Sequence, residues 1–347
     1  MNYNSLFVSF RSSSVYRYYK LLRNNKIWTY NLKQHYDSFS ENELRIVYKK
    51  LRKAWICQGI DLGDFYRLHC EDKSLDQMSE FLSYWESSSF CLKINSINAR
   101  RILGDKFRSY NYFSRFYGRQ AILLSSADID KGKGIEKLNA FVCDTNQPYI
   151  IKPLNMNSGK GIKVMSSIQD ILDYVKTLRR DVIIEEVIVQ DKSMAAFNNS
   201  SVNTLRIQTA NYGNGEIDVL WPCFRMGRAG SVVDNAGAGG IFSAIDVNTG
   251  KTIAAVDESR NIWKVHPDSK KELVGFTIPR WQEAIAFAKK LAKAIPDAGF
   301  VAWDLALTKR GWVMVEGNSA PLLIYQIALN RGIRAEFYEM KKKMTQG

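Results

Sequence analysis

The stretch FVAWDLALTKRGWVMVEGNSAP, Phe300 to Pro321, sets two acids and an amide among apolar residues. Its halves, 300–308 and 312–317, are rich in Val, Trp, Leu and Met, which favours β-strands. The KRG between them ends in glycine, as short hairpin loops often do. The stretch therefore predicts a β-hairpin that places charged side chains in a largely apolar sheet.

The register of this hairpin determines which side chains meet. If KRG is the whole loop, Thr308 faces Trp312 and Asp304 lies directly opposite Glu316, with Asn318 on the same face as Glu316. Like charges that face each other destabilise a strand pair, so a cation is expected between them. Carboxylate and amide oxygens are ligands that Mg²⁺ or Mn²⁺ prefers. Two acids pointing to water are the alternative, which the apolar context disfavours.

The composition is that of a globular chain large enough for more than one subdomain. It has 347 residues, of which 46% are hydrophobic and 24% charged. There is no apolar run of about 18 residues, and the N-terminal MNYNSLFVSFR has too short an apolar stretch for a signal peptide, so we expect a cytoplasmic protein. The five cysteines are scattered without CxxC spacing, which indicates neither a zinc site nor a disulfide framework.

The net charge of +14 is concentrated near the N-terminus. Residues 1–60 contain 11 Lys and Arg against 3 Asp and Glu, with Tyr, Phe and Trp interleaved. Such a region suits an anionic partner, which could be nucleic acid, an anionic lipid surface or an acidic polymer. No RNA- or DNA-binding motif is present, which disfavours nucleic acid. Peripheral attachment to the inner face of the membrane is left open.

Periodicity divides the chain into a helical part and a β-rich part. In the first hundred residues, apolar residues recur at spacings of three and four, and Ser40 and Ser74 stand at capping positions. From about Tyr149, short β-rich runs alternate with glycine turns, and the helix SIQDILDYVKTLRR opens at Ser167. Mostly antiparallel strands with helices on one side predict an α+β architecture.

Two segments suggest binding of a phosphorylated ligand. IIKPLNMNSGKGIKVM, Ile150 to Met165, combines Lys152 and Lys160 with glycines whose backbone N–H groups can wrap phosphate oxygens. IIEEVIVQ, Ile183 to Gln190, ends a strand with two acids, which suits either an adenine amino group and ribose hydroxyls or a solvated edge.

Arginines follow in the next segments. In NTLRIQT, Arg206 lies on the polar face of a buried strand, where its planar fork can bind phosphate or carboxylate. RMGRAGSVVDNAGAGGI adds Arg225, Arg228 and Asp234 in a glycine-rich loop. We interpret this loop as a clamp over a reacting centre.

Taken in order, these motifs resemble the ATP-grasp superfamily, and more narrowly its sugar-transfer-associated branch, which is found with polysaccharide biosynthesis systems. The likeness runs from about Asn95 to Pro321 through GDKF, IIKP, NSGKG, EEVIVQ, SSVNTLRIQT, GRAGSVVDNAGAGGI and VAWDLALTKRGWVMVEGN. It implies an α+β ATP-grasp fold of two subdomains that clamp ATP, with a mainly helical N-terminal region. The expected boundaries are 1–94 for the basic helical region, 95–330 for the ATP-grasp domain with subdomains at about 148–190 and 200–325, and 331–347 for a C-terminal helix.

The resemblance also implies roles for individual residues. It assigns the nucleotide to Lys106, Lys152, Ser158, Gly159, Lys160, Gly161, Glu185, Glu186, Val187, Ile188 and Gln190. It assigns Mg²⁺ or Mn²⁺ to Asp304, Glu316 and Asn318. It assigns stabilisation of the reacting groups to Arg206, Arg225 and Arg228, and Arg206 is the first choice among them. For the ribose-binding acid that is usual in the superfamily, Gln190 and Asp191 stand nearest.

ATP-grasp enzymes mostly join a carboxylate to an amine through an acyl phosphate. The resemblance therefore implies an ATP- and Mg²⁺-dependent ligase. Its expected partners are an amino acid and a uronic acid or similar sugar carboxylate of a surface polysaccharide, such as capsule or exopolysaccharide. A ligase acting on small acids or peptides is one alternative. A non-catalytic nucleotide-binding or membrane-docking protein is another, and it would bind ATP without releasing ADP and phosphate.

Overall fold

The computed structural model describes residues 13–142, 147–154, 161–234, 237 and 239–346. From Ser14 onward the described part of the N-terminal region is a run of helices, as predicted. They are α1 (Ser14–His35), α2 (Glu41–Gln58), α3 (Leu62–Arg67), α4 (Leu75–Ser79), α5 (Tyr84–Ile94), α6 (Ile97–Gly104) and α7 (Lys106–Tyr117). No helix within the described ranges combines the length and the hydropathy that a bilayer crossing requires.

A small sheet with helices on one side comes next. Its elements are β1 (Ala121–Leu124), α8 (Ser126–Asp130), α9 (Gly134–Phe141), β2 (Tyr149–Pro153), β3 (Lys163–Met165), α10 (Ile168–Leu178) and β4 (Val182–Glu186). The strands pair antiparallel in the order β1-β4-β2-β3. Leu138 from α9 and Val175 from α10 pack against Ile151 and Ile184 of the sheet in one buried cluster.

A larger sheet forms the second half of the molecule. Its elements are α11 (Lys192–Ala195), β5 (Thr204–Asn211), β6 (Ile217–Met226), β7 (Ile241–Ile245), β8 (Thr252–Asp257), α12 (Trp281–Ala294), β9 (Phe300–Thr308), β10 (Gly311–Asn318), α13 (Ile324–Leu329) and α14 (Arg334–Gln346). The strands pair antiparallel in the order β10-β9-β5-β6-β7-β8. The prediction of an α+β architecture is confirmed, whereas the domain boundaries stay a prediction.

The two faces of the larger sheet have different coverings. On the first face, Trp303 and Leu305 of β9 pack in one core with Phe113 of α7 and Leu291 of α12. On the second face, Phe242 of β7 lies in a core shared with helix α13 and the N-terminal helices. The part of the second face formed by β5, β9 and β10 instead presents charged side chains, which are described below.

The helix caps that the sequence predicted are present. The Ser40 hydroxyl accepts the Glu43 N–H at 3.4 Å, and the Glu43 carboxylate accepts the Ser40 N–H at 2.7 Å. Ser74 forms the same reciprocal pair with the residue three positions on, and Ser167 accepts the Asp170 N–H at 3.3 Å. Each cap satisfies N–H groups that have no partner within the helix.

The turn between β9 and β10 is shorter than predicted. Thr308 pairs with Gly311, and Trp312 pairs with Leu307. The prediction that Thr308 faces Trp312 is therefore wrong by one residue. Only Lys309 and Arg310 remain in the loop, and Gly311 begins the second strand with φ at +127°.

A β-bulge at Val315 then restores the predicted pairing of Glu316 with Asp304. The register shifts between Met314 and Glu316, and Glu316 lies opposite Asp304, as predicted. A bulge adds one residue to one strand and so reverses which face the later side chains occupy. Met314 is buried in the core beneath α7 and α12, whereas Glu316 turns to the opposite face.

Gly118 and Gly132 give a matched test of how the hairpin packs against the chain that follows α7. Both are left-handed, with φ at +60° and +71°, but a Cβ at Gly118 would lie 2.5 Å from Val313 Cγ1, whereas one at Gly132 meets nothing within 4 Å. We expect Gly132→Ala to lower the free energy of unfolding by about 1 to 2 kcal/mol. Gly118→Ala should cost about 1 to 3 kcal/mol more, because overpacking adds to the backbone strain. Urea denaturation measures both, and equal losses would contradict this packing.

Candidate active site

Adjacent strands bring a row of charged side chains to the second face of the larger sheet. Glu316 on β10 lies opposite Asp304 on β9, and Asp304 lies opposite Arg206 on β5. Arg206 in turn pairs with Cys223 on β6. Directly opposed residues point to the same face, so the strand order itself places the two acids beside an arginine.

A second bulge brings Arg225 to the same row. The pairing of β5 with β6 shifts between Arg206 and Gln208, where β6 contains Trp221, with φ at +45°, and Pro222. Proline lacks an N–H group, and bulges are among the few places in a sheet that accept it. Beyond the bulge, Arg225 points to the face that Arg206 occupies.

Two arginines hold Asp304. Its Oδ1 accepts from Arg206 Nε at 2.8 Å, and its Oδ2 accepts from Arg206 Nη2 at 2.7 Å and from Arg225 Nη1 at 2.6 Å. Burial alone would raise the pKa of Asp304, but the charges of the two guanidinium groups more than offset it and hold the pKa below its usual range. Asp304 is therefore ionised and fixed in position.

Arg225 also holds Asp234 of the glycine-rich loop. Its Nη2 pairs with Asp234 Oδ1 at 3.0 Å, and the Thr204 hydroxyl donates to the other oxygen of Asp234. Burial raises the pKa of Asp234, although Arg225 opposes the change. Arg225 thus links Asp304 in the sheet to Asp234 in the loop. These contacts hold Asp234 over β5 and β6.

Glu316 has a different environment from Asp304. Among the residues that the structure describes, no lysine or arginine forms an ion pair with Glu316, and Asn318 Nδ2 donates to its Oε1 at 3.2 Å. Burial, and then the negative charge of Asp304, raise the pKa of Glu316. The row therefore has an excess of negative charge at this acid.

The oxygen atoms of this site fit a hard divalent cation. The carboxylates of Asp304 and Glu316 and the amide oxygen of Asn318 are the ligand types that Mg²⁺ and Mn²⁺ take. The amide nitrogen of Asn318 faces Glu316, which leaves the amide oxygen of Asn318 as a possible metal ligand. A cation here would oppose both the burial and the repulsion from Asp304 that raise the pKa of Glu316.

A second charged cluster lies in the smaller sheet. Glu185 on β4 is only 2% exposed, and it accepts from Arg119 Nε at 2.7 Å and from Lys152 Nζ at 3.0 Å. Burial would raise the pKa of Glu185, but Arg119 and Lys152 together lower it. The Glu185 side chain therefore positions Lys152 and Arg119 through buried ion pairs.

Arg119 connects this cluster to the larger sheet. Its Nη1 donates to the carbonyl oxygens of Tyr117 at 3.0 Å and Met314 at 2.8 Å, while its Nε holds Glu185. Met314 directly precedes the bulge in β10. One buried side chain thus joins the two sheets beside the point where β10 turns Glu316 to the second face.

The sequence analysis did not single out Arg119. The residue follows Gly118, which ends α7, and precedes β1, so its position along the chain resembles that of an ordinary surface arginine. Its importance depends on contacts with Glu185 and Met314, which are far away in sequence. No local pattern indicates such pairing.

Lys106 stands between the two clusters. It is the first residue of α7, and its Nζ donates to the carbonyl oxygens of Pro153 at 3.1 Å and Leu154 at 3.3 Å. Burial lowers its pKa, and Glu316 is the acid that opposes this change most strongly. The structure therefore places a lysine near both Glu316 and the end of β2.

The predicted nucleotide-binding loop is described only in part. Ser158, Gly159 and Lys160 lie outside the described residues. Gly161 is described, with φ at +71°, and its carbonyl oxygen accepts the Tyr174 hydroxyl of α10 at 2.8 Å. This contact fixes Gly161 against helix α10.

The predicted adenine segment begins at the edge of the smaller sheet. Glu186 ends β4, and its Oε2 accepts the Gln120 N–H at 2.8 Å. Val187 and Ile188 follow as half-buried residues without regular secondary structure. Backbone that has just left a strand can offer N–H and C=O groups to a ligand, as the adenine prediction requires.

Gln190 is committed to internal hydrogen bonds. Its Nε2 donates to the carbonyl oxygens of Asn198 at 3.1 Å and Ser201 at 2.7 Å, and its Oε1 accepts the Asn203 N–H at 3.1 Å. The neighbouring Asp191 caps the N-terminus of α11. The structure thus gives both ribose candidates a local structural task.

Arg228 does not join the charged row. Its Nε pairs with Asp268 at 2.8 Å, and its guanidinium lies 5.7 Å from the centre of the Trp263 ring. The side chains of Arg228 and Asp268 are about one-third exposed, at 33% and 30%. Of the three arginines predicted for the site, the structure therefore brings together Arg206 and Arg225.

Comparison with known proteins finds one matching family model and several solved structures of low sequence identity. A family model described as sugar-transfer associated ATP-grasp matches residues 86–342. A search of curated proteins finds no match. Among solved structures, the VanG D-Ala:D-Ser ligase of Enterococcus faecalis is 16% identical with a TM-score of 0.46, and the match covers 78% of this chain and 66% of that chain. The D-alanine-D-alanine ligase of Helicobacter pylori is 13% identical with a TM-score of 0.44, over 73% of this chain and 63% of that chain. The chain thus spans less than two-thirds of these ligases.

The buried ion pair of Arg119 with Glu185 can be compared with the surface pair of Arg67 with Glu258. We expect Arg119→Met to lower the free energy of unfolding by about 3 to 5 kcal/mol, because it leaves a buried carboxylate with one cation fewer. Arg67→Met should cost at most about 1 kcal/mol, since its side chain is 29% exposed and that of its partner 36%.

A triple variant tests the cause of this loss. Adding Glu185→Gln and Lys152→Met to Arg119→Met should recover part of the stability, because it removes the buried carboxylate together with its second cation. Urea denaturation of the single and triple variants measures the recovery. Equal losses for the two arginines, or a triple variant less stable than Arg119→Met alone, would contradict the proposed ion-pair role.

Proposed function

The chain belongs to the sugar-transfer associated ATP-grasp family, and we propose that it is an ATP- and Mg²⁺-dependent ligase that joins a carboxylate to an amine. We further propose that it couples an amino acid to a uronic acid or similar sugar carboxylate during synthesis of a surface polysaccharide, such as capsule or exopolysaccharide. The family description supports the sugar, and the net charge of +14 suits an anionic substrate. The proposed reaction takes place in the cytoplasm, where ATP is available.

The observation that best supports this proposal is the acid pair of the buried Asp304 and the half-buried Glu316, with Arg206 and Arg225 bound to Asp304 and Lys106 close enough to interact electrostatically with Glu316. Such a site suits a ligand with several phosphate charges and a cation. Mg²⁺ held by Glu316, Asp304 and Asn318 would neutralise phosphate charge. In this proposal Lys106 and Lys152 contact the phosphates.

The proposed reaction has two balanced steps. A carboxylate oxygen of the first substrate bonds to the γ-phosphorus of ATP, the bond from that phosphorus to the β,γ-bridging oxygen breaks, and ADP leaves. The amine nitrogen then bonds to the acyl carbon, phosphate leaves, and the nitrogen loses a proton to give the amide. Negative charge accumulates on the transferred group, and cations fixed in advance stabilise it most effectively.

Arg206 is the first candidate for this stabilisation. It pairs with Asp304 through Nε and Nη2, which fixes the plane of its guanidinium. No described residue accepts a hydrogen bond from its Nη1, so that donor is available to a substrate oxygen. Arg225 has both its terminal nitrogens engaged, by Asp304 and Asp234, and supports Asp304 in place.

Turnover with defined substrates tests the proposal. The full chain is incubated with ATP and Mg²⁺ and with pairs drawn from uronic acids, glycan fragments and amino acids, and ADP, phosphate and the coupled product are measured. We expect release of ADP and phosphate only when one carboxylate and one amine are both present. Glu316→Gln should lower kcat/KM by about 100-fold or more, because it removes a charge from the proposed cation site. Glu136→Gln, at an exposed position on α9, is the matched control and should leave the rate unchanged.

The outcomes separate the competing functions. Turnover with amino-acid or peptide pairs alone would favour a peptide ligase. ATP binding in a calorimeter, with no ADP release for any pair, would contradict the ligase proposal and favour a nucleotide-binding protein. A Glu316→Gln variant that folds normally and retains full activity would remove the acid pair from the mechanism.

A further inference from the structure

The exposed face of α1 combines cations with apolar side chains. Its exposed cations include Lys26 and Lys33, and the neighbouring helix α2 adds exposed Arg45, Lys49, Arg52 and Lys53. The exposed apolar side chains are Val15, Tyr19, Leu22 and Tyr30 on α1 and Ile46 on α2, which are between 51% and 69% exposed. We call the exposed face of α1, with these residues of α2, the basic-apolar surface.

This surface belongs to a helix that is firmly anchored on its other side. Leu21, Trp28 and Leu32 of α1 are buried in the core that they share with α2. Trp55 Nε1 of α2 donates to the carbonyl oxygen of Arg17 at 2.7 Å. In α1, residues spaced by three, four and seven positions lie on one stripe, so the exposed residues form a continuous face opposite the buried one.

The positive charge of α1 is not neutralised by acids of the same helix. Residues 1–36 contain no Asp or Glu, so α1 has no acid of its own. In the part of the chain that the structure describes, none of the six cations forms an ion pair, whereas Lys343 on α14 pairs with Glu216 and Asp218. The surface therefore presents a positive field to any partner.

An anionic lipid leaflet accounts for both components of this surface. Lysines and arginines are attracted to anionic headgroups, tyrosines favour the interfacial region, and aliphatic side chains gain by leaving water at the acyl boundary. A soluble polyanion such as nucleic acid would use the cations and the tyrosines, but it would leave Leu22 and Ile46 in water. Contiguous exposed apolar residues rimmed by charge are typical of an interaction site.

We propose that the basic-apolar surface docks the protein on an anionic membrane leaflet, with α1 lying in the plane of the interface. This inference goes beyond the ligase proposal and does not depend on it, since it rests on residues outside the charged row. Binding requires the cations and the aliphatic side chains together, so each component can be removed separately.

Vesicle binding tests the electrostatic component. The full chain is sedimented with vesicles of phosphatidylcholine alone and of an equal mixture of phosphatidylcholine and phosphatidylglycerol, at low and high salt. We expect binding to the mixed vesicles that weakens with salt, and little binding to the neutral ones. The double variant Lys26→Glu/Lys33→Glu should bind about tenfold or more weakly. The charge-matched control, Lys290→Glu/Lys293→Glu on the exposed side of α12, should bind as tightly as the unmodified chain.

A second pair of variants tests the apolar component and distinguishes a bilayer from a polyanion. Leu22→Ser should weaken vesicle binding by about threefold or more. Ile262→Ser, at a position that is 81% exposed elsewhere in the molecule, should have no effect. Equal binding to neutral and anionic vesicles, or no binding to either, would overturn the proposal. Tight binding to single-stranded RNA that Leu22→Ser leaves unchanged, with weak vesicle binding, would overturn it in favour of a nucleic-acid surface.

Discussion

The candidate site depends on one buried interaction, the contact of Asp304 with Arg206 and Arg225. Three strands provide these side chains, and a fourth brings Glu316 beside them. Without the carboxylate, two guanidinium groups would repel each other in a sheet interior where water cannot screen them. With it, both arginines are fixed before any ligand arrives, and Arg225 extends the arrangement to Asp234 in the loop. The sheet thus orders a charged cluster in which the two arginines would repel each other if Asp304 were missing.

Contacts between site residues could be predicted from the sequence only where those residues lie close together along the chain. The pairing of Asp304 with Glu316 could be predicted because both lie in one hairpin, although the turn was placed one residue too far along. The bulge at Val315 compensated for that error. In WVMVEGN, an inserted valine looks like any other strand residue, so alternation of apolar residues could not reveal the bulge. The helix caps could be predicted for the same reason, since a serine and the residue three positions on make them.

Contacts between distant segments could not be predicted. Lys152 and Glu185 were both identified as candidates, but not as an ion pair, because their pairing depends on the antiparallel order of β2 and β4. Arg228 stands near Arg225 in sequence, yet its partner Asp268 lies in a separate segment and takes it away from the row. Composition and spacing indicate which residues have suitable chemistry. The topology of the sheets determines which of them meet.

The position of Arg119 restricts how the two sheets can move. It holds Glu185 of the smaller sheet with one nitrogen and the Met314 carbonyl oxygen of the larger sheet with another. Sliding of one sheet past the other would break at least one of these contacts. Lys106 adds a second connection, because it joins α7 to the carbonyl oxygens at the end of β2. Arg119 and Lys106 together therefore hold Lys152 and Glu185 beside the larger sheet.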